Sequence, residues 1–124
     1  MLADTYSTRQ KISKSQEFEP CTLVREDVEY ITALLTSVKA VQKAYLVKRR
    51  QERTDLTMHD IVIFPKKYNM LFDANELTAQ IESALSELGE ATTVFYGPWL
   101  DKGVRERLFA VKDGIIVDKL GFEP

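Results

Sequence analysis

The sequence predicts an α+β fold in which two main helices pack on one face of a mixed, mostly antiparallel sheet. Three observations indicate this class: a strand–strand–helix unit from Val41 to Gly89, a further strand after it, and an amphipathic helix in front of it. Because the order β–β–α–β cannot give an all-parallel sheet, and because sequential strands usually pair, we expect the first two strands to be antiparallel neighbours. The two helices then cover one face of that sheet.

Length and composition are those of one globular domain. The chain has 124 residues, of which 44% are hydrophobic and 29% are charged, and such values are typical of a folded domain with its own core. We expect residues 1–16, which are polar, to form a flexible or strand-like N-terminal arm, and residues 17–124 to form a single α+β domain. The formal net charge of -2 gives no overall attraction to nucleic acid or to an anionic membrane.

The first helix is predicted over residues 23–38. Thr22 is in position to cap its N-terminus, and Glu26 and Asp27 lie in its early turns, where the helix dipole favours anions. The apolar side chains recur at helical spacing, so that they form one stripe for burial. That stripe consists of Val28, Ile31, Leu34, Leu35 and Val38.

The strand–strand–helix unit has strands over residues 43–48 and 60–64, separated by a mainly polar loop that is long for a hairpin. The helix that follows has signals at both ends. Asp73 can cap it with Glu76 in the capping-box position, and Gly89 lies where a left-handed C-terminal cap belongs. Its predicted buried stripe consists of Leu77, Ile81, Ala84, Leu85 and Leu88.

The third strand is predicted over residues 92–96 and ends before Gly97 and Pro98. Two interpretations remain for residues 101–118. The first is a helix over residues 101–111 followed by a last strand. The second is a hairpin that pairs residues 108–111 with residues 115–117 around a Lys-Asp-Gly turn. We favour the helix followed by a strand.

Residues 17–96 resemble the C-terminal domain of the enhanced serine sensitivity protein family. The resemblance rests on Glu19-Pro20 before an amphipathic helix, on the Val-x-x-Ala-Tyr-Leu phrase within Val41–Val47, and on the Leu-rich helix that ends at Gly89 before another strand. These 124 residues do not include the N-terminal partner domain usual in that family, and the tail from Trp99 onwards departs from its pattern. The resemblance implies a fold and brings no catalytic motif with it.

Two side chains are candidates for chemistry by residue type. His59 is the only histidine and lies beside Asp60, but neighbours on a strand point to opposite faces, so that the two do not readily form a catalytic dyad. Cys21 is the only cysteine and precedes the first helix, where a thiol can become reactive. We interpret Cys21 as a half-buried structural residue. One histidine and one cysteine do not make a metal site.

Two surface features are candidates for interaction. The loop after the first strand carries Arg49, Arg50 and Arg53, which make it locally basic. Tyr96 and Trp99 flank the Gly-Pro turn, and aromatic residues of these types are enriched in protein interfaces. The simplest interpretation is a solvated loop in the first case and a lid over the edge of the core in the second.

These observations favour a non-enzymatic, cytoplasmic interaction or regulatory domain with a protein partner or a tendency to self-associate, for example as a homodimer. One alternative is a small-ligand-binding protein or small enzyme with a pocket near Tyr96, Trp99 and His59. Another is a nucleic-acid-associated module that uses the loop Arg49–Arg53, although nucleic acid is the less favoured partner. We expect no cofactor and no membrane contact, and no residue set predicts a catalytic, cofactor-binding or metal site.

Overall fold

The computed structural model describes residues 14–50, 59–65, 74–86 and 92–119, and these parts contain five strands and three helices. The strands are β1 (Phe18–Pro20), β2 (Val41–Arg49), β3 (His59–Pro65), β4 (Thr92–Tyr96) and β5 (Ile115–Asp118). The helices are α1 (Arg25–Ser37), α2 (Ala74–Leu85) and α3 (Lys102–Phe109). None of the helices in these parts of the chain has the length and apolar character needed to cross a membrane. The predicted α+β class is confirmed.

The sheet is built around β2, which is antiparallel to three other strands. β3 lies along one side of β2, as predicted for the first antiparallel pair, and β4 continues the sheet parallel to β3. The other side of β2 is shared, since β1 pairs with Val47–Arg49 and β5 pairs with Lys43–Tyr45. The sheet is therefore mixed and mostly antiparallel.

The first face of the sheet carries the larger core. Ile31 and Leu35 from α1 and Ile81 and Leu85 from α2 are each at most 2% exposed. They pack with alternate residues of the central strands, which are Ala44, Leu46, Ile61, Ile63 and Val94. Two main helices thus cover one face, as the alternation of the strands and the helical stripes predict.

The second face is covered by α3, a layer that the sequence prediction did not include. Leu108 is fully buried there against Val47, Val62 and Phe95. These strand residues alternate with those of the first face, so that β2, β3 and β4 are apolar on both sides. Residues 101–118 therefore form a helix followed by a strand, and not a hairpin.

The N-terminus of α1 differs from the prediction. The helix begins two residues later, and its N-cap is Val24, which offers no side-chain acceptor. Thr22 is not the cap, because it lies two residues before Val24. Its backbone amide donates a hydrogen bond to Nε2 of His59 at 3.2 Å. The predicted caps of α2, Asp73 and Gly89, lie outside the described residues.

α3 has a side-chain cap, and it also holds the chain in front of β1. The Oδ2 atom of Asp101 accepts a hydrogen bond from the amide of Gly103 at 3.1 Å. Arg107 donates to the carbonyl oxygen of Gln16 at 2.8 Å and to that of Lys14. Most of the N-terminal arm predicted over residues 1–16 lies outside the described residues.

A short 3₁₀ turn, Gly97–Trp99, carries the chain from the first face to the second. Gly97 is buried, and a Cβ atom at this position would overlap the ring of Phe64. A larger residue therefore fits only if the Phe64 ring moves. This close approach of backbone and ring lets the chain turn tightly around the end of β3 and places α3 on the second face.

β4 is the last strand on its side of the described sheet. The amide of Val94 donates a hydrogen bond to Oε2 of Glu82, on α2, at 2.8 Å. A carboxylate thus occupies the position where a further strand would accept this bond. Blocking an edge with a charged side chain is a recognised protection against pairing with another chain.

Candidate functional site

The only histidine is a buried side chain of the first face. His59 is 3% exposed, and its Nε2 atom lies 3.2 Å from the backbone nitrogen of Thr22 and 3.3 Å from the Oγ1 atom of that residue. Because the backbone N–H can only donate, Nε2 is the acceptor and carries no proton. The lone pair that a general base would need is therefore engaged.

His59 does not come together with the two aromatic residues considered with it. In the parallel register, His59 is opposite Thr92 and Ile63 is opposite Tyr96. Four residues along a strand separate the two positions by about 13 Å. Trp99 contacts Tyr96, with ring centroids 4.9 Å apart in an edge-to-face arrangement, and is 59% exposed. The ring pair and the histidine are thus distinct features of the molecule.

Asp60 points away from His59 and forms a buried ion pair on the second face. Its Oδ2 atom lies 2.6 Å from Nε of Arg49, and the side chain of Asp60 is fully buried. The guanidinium group of Arg49 also lies over the ring of Phe95, 5.3 Å from its centroid. Arg49 is 14% exposed, so this residue belongs to the interior and is not a cation of a solvated loop.

The buried carboxylate is only partly satisfied. The Oδ1 atom of Asp60 has no hydrogen-bond partner among the described residues. Burial raises the pKa of Asp60 to about 6, against the opposing hydrogen bond and charge of Arg49. Desolvation therefore outweighs attraction at this pair, as it often does when two charges leave water.

The rest of the predicted basic loop is also paired or lies outside the described residues. Arg50 is 65% exposed and contacts Glu17 at 3.1 Å and Glu19 at 3.7 Å. Lys48 lies 3.9 Å from Glu19, so the acidic residues around β1 offset this end of β2. Arg53 lies outside the described residues.

Cys21 is half-buried and packs against the core of the first face. The apolar side chains of Leu23 and Val28 pack against the same core. In the described parts of the chain, no three His, Cys, Asp or Glu side chains are grouped as ligands for a metal ion.

A pocket opens on the second face, where β2 begins and β3 and α3 end. Its volume is about 310 Å³, and it is lined by Gln42, Lys43, Tyr45, Phe64, Pro65 and Phe109. Three rings form its wall: the centroid of Phe109 lies 5.3 Å from that of Tyr45 and 5.8 Å from that of Phe64. Phe109 is nevertheless 51% exposed. We call this feature the aromatic pocket.

A β-bulge supplies the polar part of the aromatic pocket. The pairing of β2 with β3 shifts between Val41 and Lys43, so that Gln42 is an extra residue. As a result, Gln42 and Lys43 both line the pocket, although neighbours on a regular strand point to opposite faces. Burial and the nearby Asp118 raise the pKa of Tyr45, so its phenol is a neutral donor at neutral pH.

The aromatic pocket is suited to holding a molecule. Sites of about 300 Å³ or more with mostly apolar walls and a few polar groups are typical of small-ligand binding. Among the six described lining residues, Lys43 and Tyr45 carry groups that can transfer a proton, and none carries a carboxylate, imidazole or thiol. Sequence reasoning missed this site, although Tyr45 and Phe64 are large rings on a strand face for which no covering helix was predicted.

The buried ion pair gives a stability prediction. We expect Arg49→Gln to lower the free energy of unfolding by about 3–5 kcal/mol, because it leaves Asp60 buried without its partner. The matched control is Arg50→Gln, one residue along the chain, which removes an exposed ion pair and should cost less than about 1 kcal/mol. Urea unfolding of both variants measures the difference, and equal costs would show that Arg49 is not an interior residue.

The raised pKa of Asp60 gives a pH dependence. The group titrates at 3.8 in its ordinary state and at about 6 in the folded protein, so folding favours the protonated form. Its contribution to stability is complete below pH 3.8 and is lost as the pH rises through 6. We expect the free energy of unfolding of the wild type, relative to Asp60→Asn, to fall by about 2 kcal/mol from about pH 4.5 to 7. Urea unfolding across this range measures it, and a rising difference would contradict it.

Comparison of the chain with protein-family models, with curated proteins and with solved structures gives no match. The resemblance to the C-terminal domain of the enhanced serine sensitivity family therefore stays a prediction.

Proposed function

We propose that the chain is a non-enzymatic regulatory domain that binds a small organic ligand in the aromatic pocket. The observation that carries the proposal is Phe109, a large ring that is half exposed at the pocket while Tyr45 and Phe64 hold its inner side. A cytoplasmic location is part of the proposal. It is supported by the single cysteine, because small secreted domains usually depend on disulfides.

The exposed apolar surface of the pocket walls is the main source of binding free energy for such a ligand. Removing apolar surface from water contributes about 25 cal/mol per Å², so a ligand that covers Phe109, Phe64 and Tyr45 together gains from three rings. The rings already contact one another. A site formed before binding loses little side-chain freedom when the ligand enters.

The contacts of the arginines support this proposal over the nucleic-acid alternative. Arg49 is committed to Asp60, and Arg50 is close to Glu17 and Glu19. A phosphate-binding surface needs cations that can neutralise the nucleic-acid backbone. Arginines that already contact carboxylates would have to give up those contacts first.

The test uses neutral aromatic probes, indole and benzyl alcohol, in protein-observed NMR titrations. We expect shifts concentrated at Tyr45, Phe64 and Phe109 in the wild type. Phe109→Ala should weaken binding by about tenfold, because one wall is lost. The control is Trp99→Ala, which removes a similarly exposed ring outside the pocket and should leave binding unchanged. Absent shifts in the pocket, or equal weakening by both variants, would refute the proposal.

Self-association into a homodimer is a second candidate function, and the exposed Trp99 favours it. Trp99 stands at the end of the edge strand β4, supported by Tyr96, and tryptophan often dominates the binding energy of an interface. Because Glu82 occupies the amide of Val94, we propose that a second copy would contact the ring and not the strand edge.

Sedimentation velocity distinguishes the proposed homodimer from a monomer. Sedimentation velocity at low and high salt should show a dimer that Trp99→Ala converts to monomer and that Phe109→Ala leaves intact. A contact made by an apolar ring should change little with salt, since screening acts on charges. A monomer at high protein concentration in both buffers would exclude this candidate.

A further inference from the structure

The polar groups of the aromatic pocket are mainly hydrogen-bond donors. They are the ammonium group of Lys43, the amide of Gln42 and the phenol of Tyr45. Lysine only donates, and a neutral phenol and an amide can each donate as well. No carboxylate is among the six described lining residues. The pocket therefore offers hydrogen-bond donors and one positive charge to whatever it holds.

Lys43 differs from the other cations of β2 in the described structure. Lys48 pairs with Glu19, and Arg49 pairs with Asp60. None of the ion pairs among the described residues uses Lys43, although its side chain is only half exposed. A partly buried ammonium group is stabilised by an anion that accepts its hydrogen bonds.

Asp118 is an acidic residue paired with this part of β2, and its position limits its role. It is the register partner of Lys43 on β5, and its charge contributes to the raised pKa of Tyr45. Its side chain is exposed and does not line the pocket. Its negative charge should weaken the binding of an anion in the pocket through solvent, without replacing that anion.

We propose that the ligand is a small carboxylic acid with an aromatic or branched apolar body. Its body lies against Tyr45, Phe64 and Phe109, and its carboxylate accepts hydrogen bonds from Lys43 and Gln42. This inference rests on the proposed function of the same pocket, and it adds the chemical class of the ligand. A ligand of this class contacts both the apolar walls and the donor-rich end of the pocket.

The experiment compares two isosteric probes, 3-phenylpropanoate and its neutral amide, by NMR titration at low salt. We expect the carboxylate to bind at least about tenfold more tightly than the amide, because hydrogen bonds to a charged group are the stronger ones. Lys43→Met keeps the apolar stem and should abolish this preference, because it weakens the carboxylate far more than the amide. Lys43→Arg should retain the preference, and Asp118→Asn should increase it.

The outcomes of this titration test the carboxylate assignment and the pocket separately. Equal affinity of the two probes for the wild type, with shifts in the pocket, would overturn the carboxylate assignment and leave the proposed function standing. A preference that persists in Lys43→Met would also overturn the assignment, because the charge would then come from elsewhere. If neither probe nor the neutral aromatic probes shift Tyr45, Phe64 and Phe109, the pocket itself is refuted as a binding site.

Discussion

The sheet is apolar on both faces, and most of the structure follows from the need to cover both. α1 and α2 together cover the first face. The second face has only α3, whose eight residues extend about 12 Å, whereas the nine residues of β2 extend about 30 Å. One short helix therefore covers the middle of this face, at Val47, Val62 and Phe95. The two ends of the face are not covered by α3.

The two ends of the second face are completed differently. At one end, Arg49 and Asp60 form an ion pair that lies against Phe95. A slip of β3 by one residue would move Asp60 into the apolar core of the first face, so the pair also helps to specify the register of the sheet. At the other end, the bulge at Gln42 and the ring of Phe109 leave a pocket. Because α3 is shorter than the sheet face that it covers, a buried ion pair completes one end of the face and a candidate binding site lies at the other.

The sequence was sufficient for the elements whose signals are local. The stripes of α1 and α2, the strand β4 and the antiparallel pairing of β2 with β3 follow from periodicity and from sequential pairing. The aromatic pocket does not follow from these local signals, because Tyr45, Phe64 and Phe109 meet only after α3 crosses to the second face. Arg49 was grouped with its charged neighbours for a related reason: nothing local distinguishes it from Arg50. Only the pairing of β2 with β3 brings Asp60 to it.

The edge of β2 that β1 and β5 share is completed late in the synthesis of the chain. β1 and β5 lie end to end along that edge and run in the same direction, so they act as two halves of one strand. The first half leaves the ribosome before β2, but the second half follows the end of β2 by more than sixty residues. At synthesis rates of about 5–20 residues per second, this interval is roughly 3–13 seconds. For that time the edge at Lys43–Tyr45 is without β5, and an unpaired strand edge is exposed to pairing with another chain.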